Sequence, residues 1–188
     1  MRIDMKAKAA VFPMPVLMVG TYDENGTVDV MMAAWGMTYR TDKIILNLMA
    51  DHKTVKNIQI KKAFTVAIGD EAHLPEEDYL GTVSGNSVAD KFEKTHLHAI
   101  KSGKVDAPVI EEFPFVMECE LDDIKAEGSL AHIIGKVVNI SVDEKCLGSN
   151  RQPDIDKLKP VMWDTFGGGY YRVGEKIGQN CAEYKKMV

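Results

Sequence analysis

Cysteine is scarce in this chain. Cys119, Cys146 and Cys181 are scattered over 188 residues, odd in number and without CxxC spacing. Such a set supports neither a disulfide framework nor a four-cysteine zinc or iron–sulfur centre, and it fits a reducing, cytoplasmic setting. Long apolar runs are missing too. "PVLMVG" and "KIILNLMA" are far too short to span a bilayer. The opening "MRIDMKAKAAVFPMP" is basic but has no continuous apolar stretch, so a signal peptide is not expected. Clustered positive charge is also lacking. Lys and Arg number 23 against 28 Asp and Glu, a formal net charge of -5, and no basic run exceeds "IKKAF" and the final "YKKMV". Neither nucleic acid nor a membrane is expected as a partner. No GxxxxGK[ST] loop and no GxGxxG between a strand and a helix occur, which removes the P-loop and Rossmann nucleotide sites. Without repeats or low-complexity linkers, residues 1–188 are expected to form one domain.

What is present reads mainly as strand. Val16–Asp23 is apolar and flanked by proline, and "ENGT" follows it. The Asn25-Gly26 pair predicts a type I′ hairpin, since both residues tolerate positive φ. Val28–Tyr39 runs back, and Lys43–Ala50 makes a third strand. These short connections suit antiparallel neighbours. Asp51 is placed to cap a helix over 52–62, with Val55 and Ile58 inward. "AFTVAIG" is a fourth strand, residues 76–102 are helical and loop-like, and Phe113–Lys125 and Leu130–Val142 are two longer strands. Residues 146–160 form a polar loop, and "FGGGYYRVGEKIG" a glycine-rich turn before a short strand. The pattern predicts a mostly antiparallel barrel with helical insertions.

Three segments carry chemistry. In "DVMMAAWGMTYR", Ala33, Ala34 and Gly36 surround Trp35, where a strand built for packing would use bulkier β-branched residues. A flat ligand lying against the backbone would require such a thin edge. "DHKTVKNI" places His52, Lys53 and Thr54 in the first turn of a helix, where free amides and the helix dipole favour an anion. Asp51 as an ordinary cap and Lys53 as a solvated cation explain the same residues. "TVSGNSVADKF" adds Ser84 in a polar turn and Lys91, a point charge suited to phosphate. His96 and His98 in "THLHA" do not share a helix face and have no third ligand nearby, so no metal site is expected. The eleven methionines are dispersed and read as core filler.

In order along the chain, "PMPVLMVGT", "DVMMAAWGM", "DHKTVKNI", "SGNSVADKF", "SLAHIIGKVV" and "GGGYYRVG" resemble the flavin reductase-like family, the FMN-binding split barrels that include flavoredoxins. The resemblance spans nearly the whole chain and is weakest over 143–160. It implies a six-stranded antiparallel Greek-key split barrel that pairs into a homodimer, with FMN near the interface. Met32, Ala33, Ala34 and Trp35 would then line the isoalloxazine. Ala50, His52, Lys53 and Thr54 would surround the phosphate, with Ser84 and Lys91 completing its shell. His132 and Phe166 would approach the ring from later strands or across the dimer. The family often has Asn where this chain has Asp29; an ionised Asp only accepts hydrogen bonds and is unfavourable beside a reduced flavin.

The resemblance implies an oxidoreductase that moves electrons from NAD(P)H through FMN to flavin or another acceptor, with no side chain assigned a catalytic role. Two other readings stay open: a flavoredoxin-type carrier that trades electrons with a redox partner protein, and a ligand-binding barrel without redox chemistry.

Overall fold

Side chains alternate in and out along the apolar strands, and that alternation lays down two cores, one on each side of a sheet. The computed structural model describes residues 1–9 and 11–187. Ala10 and Val188, which belong to the two terminal stretches quoted above, lie outside the described residues. The elements in order are β1 (Met14–Pro15), β2 (Leu17–Tyr22), β3 (Val28–Ala33), β4 (Gly36–Arg40), β5 (Lys43–Met49), α1 (Lys53–Lys61), β6 (Ala63–Ile68) and α2 (Leu74–Thr82). Then come β7 (Ala99–Lys101), β8 (Pro108–Ile110), β9 (Phe115–Glu127), β10 (Leu130–Val142), α3 (Ile155–Leu158), β11 (Val161–Trp163) and β12 (Tyr170–Arg172). Among the described residues, no helix is long and apolar enough to cross a membrane.

The molecule is mainly β. Its principal sheet is antiparallel throughout, in the order β3-β2-β6-β9-β10-β5-β4. The two end strands of this order, β3 and β4, are consecutive in the chain and separated only by Ala34 and Trp35. Two linking residues reach about 11 Å at full extension, so the sheet must curl back on itself. The sheet has seven strands where six were expected, β3 and β4 together replacing the one strand expected over Val28–Tyr39. The tryptophan strand is interrupted at Ala34–Trp35, where the Gly36 N–H bonds back to the Ala34 carbonyl at 3.1 Å. Among the described residues the ladder itself is not closed, because β3 and β4 meet end to end instead of side by side.

Leu17 and Val19 of β2 point into one core with Leu46, Ile58, Phe64 and Ile133. Val16 and Met18 point the other way, toward Val30, Leu80, Phe113 and Val161. Both faces of β2 and β6 are therefore buried, α1 covering one side and α2 with the small sheet β1-β11-β12 the other.

Two local expectations are corrected. Only Gly26 of the Asn25-Gly26 pair has positive φ, 85°. The Asp23 carboxylate accepts the N–H groups of Asn25 and Thr27, each at 2.9 Å, and this holds a three-residue loop in place of a type I′ turn. Helix α1 starts one residue later than predicted. His52 occupies the N-cap position, Asp51 does not cap, and no side chain bonds the first-turn amides.

Candidate functional site

The bend between β3 and β4 opens a slot. A cavity of about 250 Å³ runs beneath it, walled on one side by Met31, Met32, Ala33, Ala34 and Trp35. Asn47, Leu48 and Met49 of β5 continue this lining, the Asn47 N–H bonded to the Trp35 carbonyl at 2.8 Å, and Trp163 and Tyr170 contribute to it from the small sheet. The small residues have separate tasks. Ala34 keeps the slot open, Ala33 is buried in the core, and Gly36 lets the bend close. A Cβ on Gly36 would sit 2.5 Å from Leu17 Cδ1 and 2.7 Å from Leu46 Cδ2. Trp35 walls the slot while remaining 59% exposed.

A second, polar cleft of about 130 Å³ adjoins the first and shares Met31, His52 and Gly81 with it. Its walls bring together Lys53 and Thr54 from the start of α1, Ser84 and Gly85 from the turn after α2, and Lys91. The start of α1 is 30 or more positions from Ser84 and Lys91 in the sequence, and β3 packing against α1 and α2 unites them. Their partners differ from the expectation. Lys91 is buried rather than projecting, and its ammonium donates to the carbonyls of Leu80 at 3.1 Å and Val83 at 3.2 Å. It also lies 3.6 Å from Asp29 Oδ1, while the Thr54 hydroxyl donates to Asp29 Oδ2 at 3.0 Å. Burial lowers the Lys91 pKa from the usual lysine value, opposed by the Asp29 charge. Lys53 Nζ stands 3.4 Å from Asp23 Oδ2. Asp29 therefore belongs to the polar cleft and not to the ring slot.

Three anticipated residues do not line these spaces within one chain. Ala50 lies beside the helix start, its N–H given to the Ser129 carbonyl at 2.8 Å. His132 faces Asn47 Oδ1 through Nδ1 at 2.5 Å and Glu127 Oε2 through Nε2 at 3.0 Å, so its ring is committed to neighbouring strands. Phe166 packs edge-to-face on Phe12 with centroids 5.1 Å apart, outside the slot. Sequence reasoning missed Asn47, Trp163 and Tyr170. Asn47 did carry a signal, as the one polar residue within the apolar run of β5. Tyr170 follows the glycine run, and its hydroxyl donates to Asp78 Oδ1 at 2.6 Å. Burial first, then that hydrogen bond, raises its pKa from the usual tyrosine value.

An apolar slot joined to a cleft with hydroxyls, cations and an uncapped helix start defines a site for an elongated ligand, flat at one end and polar at the other. The chain belongs to the family of the flavin reductase like domain, whose model matches residues 9–169. It is similar to the flavoredoxin of Desulfovibrio vulgaris (Miyazaki F), with 31% identity, a TM-score of 0.92, and 98% of this chain and 100% of that one covered. The flavoredoxin from Methanosarcina acetivorans shares the fold at 21% identity and a TM-score of 0.91, with 100% of both chains covered. An uncharacterized protein of Aeropyrum pernix is 24% identical over 86% of this chain, which spans 62% of that relative's length. Membership and the likeness to the Desulfovibrio flavoredoxin support a flavin-related oxidoreductase or electron carrier.

Proposed function

We propose that this chain binds FMN and moves electrons from NAD(P)H through it to free flavin or another acceptor. One observation carries the reading: the slot at Ala33–Trp35 is continuous with the polar cleft at the start of α1. The residues fit a flavin. The apolar lining of the slot suits a tricyclic ring. The buried His52 Nδ1 has no hydrogen-bond partner, and the first-turn amides of α1 have no side-chain cap. Both are groups that a ribityl or phosphate oxygen would satisfy.

Bound flavin supplies hydride acceptance at N5 and release of electrons singly or in pairs. The protein's part is to orient and exclude water. Met31, Met32 and Leu48 would hold the ring dry, and Asn47 would offer it a hydrogen bond. The backbone N–H of Thr54, the Ser84 hydroxyl and Lys53 would meet the polar tail, and Trp35, half in solvent, would border the face open to a donor. Asn47 is presented by His132, whose Nδ1 takes up the Asn47 carbonyl oxygen and leaves the amide NH2 free. Cys119 takes no part: burial pushes its thiol up to about 12.

A homodimer belongs to the same proposal. Met37, Thr38, Tyr39 and Arg40 are all exposed, so β4 offers solvent both faces of a strand bordering the slot. A second copy packed there would cover Trp35 and bring further residues to the ring. The full-length likeness to a flavoredoxin favours one other reading, a carrier exchanging electrons with a redox partner protein. The test is the visible absorption spectrum of the purified protein with FMN, repeated anaerobically with NADH and with NADPH. Flavin bands that bleach on adding either nicotinamide support the reductase. Bound flavin that stays oxidised supports the carrier. Protein that takes up no FMN ends both.

A further inference from the structure

The polar cleft holds cations, yet each of them already has an anion. Lys91 is buried with Asp29, itself 2% exposed, at 3.6 Å. Lys53 has Asp23 at 3.4 Å. Asp29 is held on every side: the Thr54 hydroxyl donates to Oδ2, and the backbone at Gly85 presses so close to Oδ1 that no Cβ would fit. Lys91 is anchored as well, by the Leu80 and Val83 carbonyls. Both partners are thus buried and held by further hydrogen bonds besides their own pairing. The remaining polar groups at the cleft are the His52 imidazole, the Thr82 and Ser84 hydroxyls and the amides at the start of α1.

We propose that Asp29 sets the charge of this cleft to near neutrality, so that the site accepts a flavin ending in a hydroxyl, riboflavin, about as well as the phosphorylated form. The inference rests on the flavin reading above and specifies the substrate class of that site. A phosphate dianion entering the cleft would gain amide and hydroxyl bonds but would meet the Asp29 carboxylate as well as the two ammonium groups. Like-charge repulsion at short range in a partly buried space offsets much of the attraction. An uncharged ribityl end makes the neutral hydrogen bonds and meets no repulsion.

The test is a fluorescence-quenching titration of the intact protein with FMN and with riboflavin, repeated on two variants. Asp29→Asn keeps an oxygen for the Thr54 hydroxyl and removes the charge. Asp23→Asn keeps the oxygen that holds the Asn25 and Thr27 amides and releases Lys53 without disturbing the buried pair. The native protein should bind the two flavins within about threefold of each other. Each variant should shift the ratio toward FMN by about tenfold or more, the gain of one uncompensated cation on phosphate. If Asp29→Asn fails to give the native thermal transition, the native ratio decides, and Asp23→Asn shows whether one uncompensated cation shifts it. A native preference for FMN of about a hundredfold, or an unaltered ratio in the folded variants, would overturn the assignment while leaving flavin binding intact. Binding of neither flavin by the native protein would instead overturn the flavin reading itself.

Discussion

At the scale of single residues, the least expected group is Glu77. It is fully buried in α2; Oε1 accepts the Asp70 N–H at 2.8 Å, and Oε2 has no partner. Burial, then the nearby charges of Asp70 and Glu76, raise its pKa from 4.5 to about 8. The folded protein thus holds this proton more tightly than the unfolded chain does. Its contribution to stability is complete below pH 4.5, declines as pH rises from 4.5 to about 8, and levels off beyond. Glu77→Gln keeps an oxygen for Asp70 and removes the ionisation. Urea unfolding of the variant should lose that slope, with a gain at pH 8 on the order of a few kcal/mol; an identical slope in both proteins would rule it out. Asn47 makes a second residue-scale prediction. Asn47→Leu removes the polar group of an otherwise apolar wall, and FMN binding should weaken by roughly 0.5–1.5 kcal/mol in an equilibrium titration. His132→Leu should act in the same direction but less strongly, because His132 reaches the slot only through Asn47. A larger effect from His132 than from Asn47 would show that the imidazole touches the flavin directly.

At the scale of elements, the decisive feature is the break between β3 and β4. Gly36 is there because Leu17 and Leu46 close beneath the bend, leaving no space for a Cβ. Gly36→Val should cost roughly 1–3 kcal/mol in urea unfolding through overpacking, and loosen flavin binding as the slot wall shifts. Full stability in the variant would mean the bend tolerates ordinary strand residues. The small sheet β1-β11-β12 is tied to α2 by the Tyr170–Asp78 hydrogen bond. Much of this level was legible beforehand. The strand over Leu130–Val142 matches residue for residue, and the helix after Ala50 is offset by one, since apolar alternation and 3.6-residue periodicity are local properties. The turn at Asn25-Gly26 and the cap at Asp51 were not legible, because the Asp23 carboxylate two residues before Asn25 holds the loop and the helix begins with His52 at its N-cap.

At the scale of the whole molecule, the proposal of a homodimer makes β4 the interface. Tyr39→Lys with Met37→Glu would place two charges on a strand that is exposed in the single chain. Sedimentation equilibrium should then show a monomer where the native protein is a dimer, with weaker flavin binding if the partner completes the ring pocket. A native monomer would end the proposal.

The chain's own order of residues determined the mainly β class, the antiparallel pairing, the thin edge around Trp35 and the polar character of the segments His52–Thr54 and Ser84–Lys91 that line the cleft. Hydrophobic period, glycine and helix-start chemistry are read within a few neighbours, so one dimension suffices for them. The three-dimensional packing alone decided the charge state of the cleft and the back wall of the slot. Asp29 meets Lys91 across sixty-two positions, Asn47 meets His132 across eighty-five, and Tyr170 meets Asp78 across ninety-two. Whether a lysine is free to hold an anion depends on which carboxylate the fold sets beside it, and distance along the chain does not carry that information.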